Sequence, residues 1–384
     1  MSPVFIVLLA AAAWALALVF YRFFSPFGLG PAPQQLLGQD FFTHPAAMPD
    51  IKIYIDGQES FGAILAAMDR AEKSLHVQTF IWKDDTLGNM MVDASLAAAN
   101  RGVAVKLCKD LLGSFFEMAF KNGKPSPLFN NALLKSHANI NIHVSAKKAV
   151  DHSKYYIMDR QTAFFGGMNV ADEYHAVWHD YMVGLHDPGW AAHFAAKVID
   201  RQPWPDGAPF VIATNTSQGA QIRTGVIELI DAARERLLFE HAYFSASIII
   251  DAMERALARG VKVDLLLPRA PSTHGPANRA AVNHLLGSPH ARGLRIFFYP
   301  RMTHAKALVA DGKIVAIGSA NMTPRSLYVS GETVMFAHFP PDHPFIARLN
   351  ARLERDLAES QRITEPIAMS PVERARAVAG KYIW

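Results

Sequence analysis

"DHSKYYIMDRQTAFFGGMNVADEY" (151–174) and "THAKALVADGKIVAIGSANMTPRSL" (303–327) are two copies of one pattern, H-x-K-x4-D-x6-G-(G/S)-x-N. The first copy holds His152, Lys154, Asp159, Gly166, Gly167 and Asn169. The second holds His304, Lys306, Asp311, Gly318, Ser319 and Asn321. Residues two apart on a strand share a face, so each copy presents an imidazole beside an ammonium. The ammonium is a compact charge suited to a phosphate oxygen. The imidazole can attack phosphorus or carry a proton near neutral pH. Glycines admit a close backbone approach, and an asparagine amide can donate to a phosphoryl oxygen.

The correspondence extends beyond the motif. Asp180, in "WHDYMVG", lies 11 residues after Asn169, and Glu332, in "SGETVMF", lies 11 after Asn321. An acid at one offset in both copies is expected to hold an imidazole in one tautomer; sheet geometry does not fix which histidine each acid serves, and the equal offset points to the one in its own half. Two such halves face to face would surround one phosphate with two His, two Lys and two Asn.

Upstream, "GAILAAMDRAEKSLHVQTFIW" from Gly62 matches "GVIELIDAARERLLFEHAYFS" from Gly225, each an amphipathic helix followed by an apolar strand. "ASLAAANRGVAVKLCKD" from Ala94 matches "RALARGVKVDLLLP" from Arg255, each a helix, an Arg-Gly stop and a buried strand. Helices alternating with apolar strands predict an α/β fold in which helices cover mixed sheets. The expected halves are 50–204 and 205–384, the second closed by a helix over 343–363.

Val4 to Tyr21 contains no charged residue over 18 positions, just long enough to cross a bilayer. No Lys or Arg precedes it, unlike a secretory leader. The expectation is an uncleaved single-pass anchor at 4–21 and a tether at 22–49. Arg22 favours a cytoplasmic catalytic part. The net charge of +4 over 384 residues marks no dedicated nucleic-acid binder. A lone cysteine, Cys108, excludes an intramolecular disulfide and a CxxC site. No HExxH or Cys frame is present for a metal, so none is expected, and no cofactor. His76, His137, His241 and His284 are read as background. Asp172 and Glu173 touch the site or cap a helix. The segment 268–301 carries five Arg, three His and no acid; it is either a basic rim that gathers anionic headgroups or a solvated face.

The doubled motif resembles the signature of the phospholipase D superfamily. "TFIWKDDTLG", "RGVAVKLCKD", "FFGGMNVADEY" and "GSANMTPRSL" resemble segments of bacterial cardiolipin synthases, as does the N-terminal apolar run. The resemblance covers nearly all of the chain after that run. Ser330 departs from it, standing where members often carry Asn. The resemblance implies duplicated phospholipase D-like halves and a two-step phosphoryl transfer. In that scheme His152 attacks the phosphodiester and becomes a phosphohistidine, while His304 protonates the leaving alcohol and later serves as base. Lys154, Lys306, Asn169 and Asn321 hold the phosphate, with Gly167 and Ser319 at the substrate. Asp159 and Asp311 are structural, and no metal takes part. The implied function is a phosphatidyltransferase of the bacterial inner membrane, making cardiolipin from phosphatidylglycerol. Two alternatives stay open: hydrolysis at the same site, and a nuclease. The apolar run and modest charge favour lipid over nucleic acid.

Overall fold

The computed structural model describes residues 30–119, 124–146, 150–217 and 219–383. The expected anchor, 4–21, lies outside the described residues; among those described, no helix is long and apolar enough to cross a membrane.

The first half forms a seven-stranded sheet. Its strands are β1 (Ile51–Ile55), β2 (Ser74–Thr79), β3 (Ala104–Asp110), β4 (Ile140–Ser145), β5 (Tyr155–Met158), β6 (Thr162–Gly166) and β7 (Tyr181–Leu185), in the order β1-β7-β6-β5-β2-β3-β4. The second half supplies β8 (Phe210–Thr216), β9 (Gly219–Ala220), β10 (Arg236–His241), β11 (Lys262–Pro268), β12 (Leu294–Tyr299), β13 (Lys306–Ala310), β14 (Ile314–Gly318), β15 (Glu332–His338) and β16 (Gln361–Ile363). Their order is β16-β12-β11-β10-β13-β14-β15-β8-β9. Without the edge strands β9 and β16, the two sheets have the same topology, and duplication is therefore visible in the hydrogen-bond ladder as well as in the motif. In each sheet β2–β3–β4 and β10–β11–β12 run parallel, while the motif strand joins antiparallel beside β2 or β10.

Alternation along the motif strands builds four layers. Tyr155 and Ile157 enter one core with Ala307 and Val309 of the other half. Tyr156 and Met158 turn to the helices of their own half, as Leu308 and Ala310 do to theirs. A period of two on a strand covered on both faces gives this split. The sheets thus pack face to face, with helices outside.

The motif aspartates form matching turns. Asp159 (φ 56°) accepts from the backbone N–H of Glu72, Lys73 and Ser74 at 2.9, 2.7 and 2.8 Å. Asp311 (φ 51°) accepts from the N–H of Arg234, Glu235 and Arg236 at 3.0, 2.8 and 2.9 Å. Each carboxylate ties the hairpin after the motif to the start of the neighbouring parallel strand. Asp tolerates the left-handed backbone that the turn needs. Asp159→Ala and Asp311→Ala are each expected to cost about 1–3 kcal/mol, toward the lower figure because both turns face solvent. Denaturant midpoints check this, and an unchanged midpoint in both variants would remove the structural role.

Three boundaries differ from expectation. The described part of the 22–49 segment is docked on the second half. Gly30 N–H bonds Thr216 O at 2.8 Å, Leu36 and Leu37 N–H bond the Glu228 carboxylate, and Leu37 is 1% exposed in the core there. The closing helix ends at Ala358, and Gln361–Ile363 instead pairs antiparallel with β12. A further helix, Pro371–Ile383, packs beside Gly275–Leu286, where Arg279 pairs with Glu373.

Candidate active site

The start of each motif strand lies at the C-terminal edge of the parallel strands, where open α/β sheets place their ligands. The two edges meet across the interface. Backbone joins them: His152 N–H bonds Gly331 O at 2.8 Å and Gly331 N–H bonds Val150 O at 2.7 Å. On the other side His304 N–H bonds His179 O at 2.6 Å and His179 N–H bonds Met302 O at 3.0 Å. Each pair locks the residue before one half's acid to the residue beside the other half's histidine.

That lock decides the acid assignment against the expectation. His152 Nδ1 lies 2.9 Å from Glu332 Oε1, and His304 Nδ1 lies 2.7 Å from Asp180 Oδ2. The acids serve the histidine of the opposite half. The equal offset of 11 reflects the repeated strand geometry, and the interface then exchanges partners. With Nδ1 engaged by the acid, Nε2 of each ring is the atom that can meet phosphorus or a proton, and Lys306 Nζ stands 3.2 Å from that atom of His304.

The two acids differ in support. Glu332 also accepts from Ser319 Oγ at 2.5 Å and Ser326 Oγ at 2.8 Å. Burial raises its pKa, but His152, Lys154 and Ser319 outweigh it and hold Glu332 below its usual range. Asp180 accepts from its neighbour Tyr181 N–H at 2.8 Å, and burial pushes it up to about 7. Burial pushes His152 down to about 4, against the pull of Glu332. His304 is held well below its usual value by burial and by Lys306.

Gly167 and Ser319, expected at the substrate, face the acids instead. A Cβ at Gly167 would stand 2.4 Å from the Asp180 carboxylate. Gly167 thus makes room for the acid, while Ser319 at the equivalent place donates to Glu332.

Each lysine curls onto the carbonyl of its own histidine, Lys154 on His152 and Lys306 on His304. Burial pushes Lys154 to about 7 and Lys306 to about 8. Both are primed to gain a bound anion as partner. Asn169 Oδ1 accepts from Ile81 N–H at 3.0 Å, and its side chain also hydrogen-bonds the Tyr174 hydroxyl, which fixes the amide at the cavity wall. Asn321 lines the same cavity, of about 410 Å³, between the halves, together with His152, His304 and Asn169.

Several wall residues escaped the sequence reading. Tyr174 and Trp178 pack on the His304 ring at 4.9 and 5.7 Å, and Phe80 on His152 at 5.0 Å. Tyr174 and Trp178 fall between Asn169 and Asp180, a position that could have flagged them. Asp172 caps a helix, accepting from Leu87 N–H at 2.7 Å. Glu173 lines the cavity, paired with Lys83. The basic segment divides: Arg295 pairs with Asp264 at 2.6 Å, while Ser272, Thr273 and His274 line the cavity. Cys108 is buried on β3, and burial pushes its thiol up to about 11.

His179, Glu240 and Asp356 are the one His/acid group among the described residues with metal-ligand spacing. Asp56 Oδ1 lies 2.5 Å from His179 Nδ1, and Arg352 Nε lies 2.9 Å from Asp356. Burial opposes a charge on His179, but Glu240, Asp356 and Asp56 prevail and keep it protonated well above its usual range. The imidazolium and Arg352 already supply cations to these carboxylates, so the group reads as an ion cluster behind the Asp180 strand.

Two imidazoles, each set by a buried acid and each backed by a buried lysine, with two asparagines at the same cavity, define an enzyme of the phospholipase D type. A family model described as "Cardiolipin synthase, PLD-like domain" matches residues 64–201 and 226–357, and the chain belongs to that family of phosphatidyltransferases. A cardiolipin synthase of Listeria welshimeri is 27% identical over 350 residues, covering 82% of this chain and 70% of the relative. The major cardiolipin synthase of Bacillus subtilis is 26% identical over 348 residues, with the same coverage of both. The phosphatidylserine synthase of Haemophilus influenzae superposes with a TM-score of 0.71 at 12% identity, covering 93% of this chain and 97% of that one. Polyphosphate kinase of Porphyromonas gingivalis gives 0.58 at 16%, covering 91% and 56%. At these identities the solved structures speak for the fold alone.

Proposed function

We propose that the chain is a membrane-anchored phosphatidyltransferase that makes cardiolipin from phosphatidylglycerol through a phosphohistidine. The observation that carries this reading is the crossed pair of His–acid dyads around one cavity. His152 Nε2 forms a bond to phosphorus as the bond to the headgroup oxygen breaks. The proton for that oxygen comes from His304 Nε2. In the second step the incoming alcohol gives its proton to His304, its oxygen bonds phosphorus, and the P–N bond breaks. Lys154, Lys306, Asn169 and Asn321 meet the charge on the phosphoryl oxygens.

The unequal acids support this division of labour. Glu332 stays ionised and orients a neutral His152, as a nucleophile requires. Burial pushes Asp180 up to about 7, so a proton stays beside His304 into the neutral range, within reach of the ring that must protonate the leaving alcohol. The lipid reading is further supported by exposed apolar side chains on wall-forming segments, Leu111 and Phe115, both 47% exposed, and Val177, 58% exposed. These suit contact with a bilayer. The apolar run at 4–21 and Arg22 support an inner-membrane anchor with a cytoplasmic catalytic part.

The deciding experiment incubates purified full-length protein with phosphatidylglycerol vesicles and, separately, with single-stranded DNA as substrate, with and without chelator. Cardiolipin and free glycerol in equal amounts, in chelator, are expected. Phosphatidic acid as the sole product would make the enzyme a hydrolase, and activity restored only by a divalent ion would overturn the metal-free mechanism.

The pH dependence follows from the shifts. His152 is depressed to about 4, so it is neutral and nucleophilic above that pH. As pH rises through about 7 to 8, the Asp180 proton beside His304 and the charges of Lys154 and Lys306 are lost. The kcat/KM of the free enzyme on a soluble diester is therefore expected to form a bell, falling below pH about 4 and above about 7. Bound phosphate raises the lysine values, so the alkaline limb of kcat should lie above that of kcat/KM. An acid limb at the ordinary imidazole value of about 6.5 would mean that His152 works hydrated.

A further inference from the structure

The halves share topology, but their walls of the cavity differ in chemistry. The first half presents Phe80, Leu112, Phe116 and Trp178. Phe80, Leu112 and Val150 form a small apolar cluster with Phe116 packed on it. At the equivalent place after β11, the second half has no apolar helix. It has the loop Ser272-Thr273-His274, with His274 at φ 58°. Tyr243, at the end of β10, holds this loop: its hydroxyl lies 2.6 Å from Ser272 Oγ, and its ring stacks on His274 at 4.6 Å and 25°. Thr273 Oγ1 lies 3.2 Å from His274 Nδ1. The same Tyr243 ring stands edge-on to His304 at 6.2 Å. A network of three hydroxyls and an imidazole is thus fixed beside the histidine that handles the leaving and entering alcohol, whereas the Phe80–Leu112–Phe116 stretch of the opposite wall is apolar and the Lys83 and Glu173 side chains on that half are paired with each other.

We infer that the Ser272–His274 loop is the subsite for a polyhydroxy alcohol, the glycerol-type headgroup that leaves and the one that enters, while the Phe80–Leu112–Phe116 wall takes the diacylglyceryl arm. This rests on the phosphatidyltransfer reading. In-line displacement puts the alcohol opposite His152 and so at His304, where its further hydroxyls reach the loop. A loop of hydroxyls offers hydrogen bonds that an alcohol carrying further hydroxyls can use and a simple alcohol cannot, so it discriminates between them. The apolar wall has nothing to offer a hydroxyl and everything to offer an acyl chain.

The test uses full-length protein in detergent with phosphatidyl-p-nitrophenol as donor, so that p-nitrophenol release reports the first step. The phosphatidyl group on the enzyme is then partitioned among 1-propanol, 1,2-propanediol and glycerol at equal concentrations. Capture by the wild-type chain is expected to rise along that series, by about tenfold from first to last. In Ser272→Ala/Thr273→Val the series should flatten toward unity. These are ratios, independent of overall rate. Phe116→Ala should keep the acceptor series but lose preference for dioleoyl over dihexanoyl donors. A flat series in the wild-type chain overturns the subsite whether or not the variants fold, and so does a steep series kept in the double variant. Absence of p-nitrophenol release from the wild-type chain would instead overturn the phosphatidyltransfer reading beneath it.

Discussion

Glu332→Gln is expected to abolish the covalent intermediate at His152, although the two residues belong to different halves. The carboxylate at 2.9 Å from His152 Nδ1 holds the ring with Nε2 free. Glutamine can present its amide hydrogens to Nδ1 instead, which turns the proton to Nε2 and blanks the nucleophile. The comparable loss of a triad acid costs about 10⁴-fold in kcat, and a loss of about 10³-fold or more is expected here. Asp180→Asn should behave otherwise. It disables His304, so phosphatidylglycerol turnover falls, but phosphatidyl-p-nitrophenol still loads His152 because p-nitrophenolate leaves without an acid. Labelled donor, a quench in alkaline SDS to preserve the P–N bond, and gel detection separate the two variants. Labelling in Glu332→Gln with none in Asp180→Asn would restore the same-half assignment and refute the crossed one.

The histidines themselves should show the same division more sharply. His152→Ala removes the atom that bonds phosphorus, so no labelled protein forms from any donor, and turnover falls by about 10⁴-fold or more. His304→Ala should accept label from phosphatidyl-p-nitrophenol and then hold it. The incoming alcohol now lacks the base that takes its proton, so the intermediate accumulates where wild type turns it over. A burst of p-nitrophenol equal to the enzyme present, followed by a slow phase, is the kinetic form of this result. Label on His152→Ala together with an unlabelled His304→Ala would exchange the roles. The crossed acids make the outcome a joint one: His152 should pair in phenotype with Glu332, and His304 with Asp180.

The behaviour of the lysines is linked to the same burial. Burial pushes Lys154 down to about 7 and Lys306 down to about 8. A phosphodiester returns the charge that burial removed, so substrate binding and lysine protonation reinforce one another. The acidic side of neutrality is thus favoured for binding, in line with the bell expected for kcat/KM.

The doubled H-x-K pattern by itself determined the duplicated α/β fold and the His and Asn that converge on one cavity, with a lysine buried behind each histidine. Strand periodicity fixes which side chains share a face, and a repeat of such a pattern can be satisfied only by repeating the sheet. Composition and the matched helix–strand pairs placed the halves for the same local reason. The roles of Asp159 and Asp311, implied by resemblance, have their cause in three backbone N–H groups from residues some 75 to 87 positions away. Only the tertiary structure decided which acid meets which histidine. An offset along the chain measures distance within a half, whereas Glu332 reaches His152 through the Gly331–Asp151 bridge and Asp180 reaches His304 through His179–Thr303. The same limit explains Gly167, whose missing Cβ admits a carboxylate from the next strand, and Leu37, which a Pro/Gly-rich context concealed as tether. It also explains the contrast between the Phe116 and Ser272 walls, because their loops differ in sequence while the sheets beneath them agree. Sequence carries the interactions that repeat along one strand; the contacts between two packed sheets are fixed by how their edges meet.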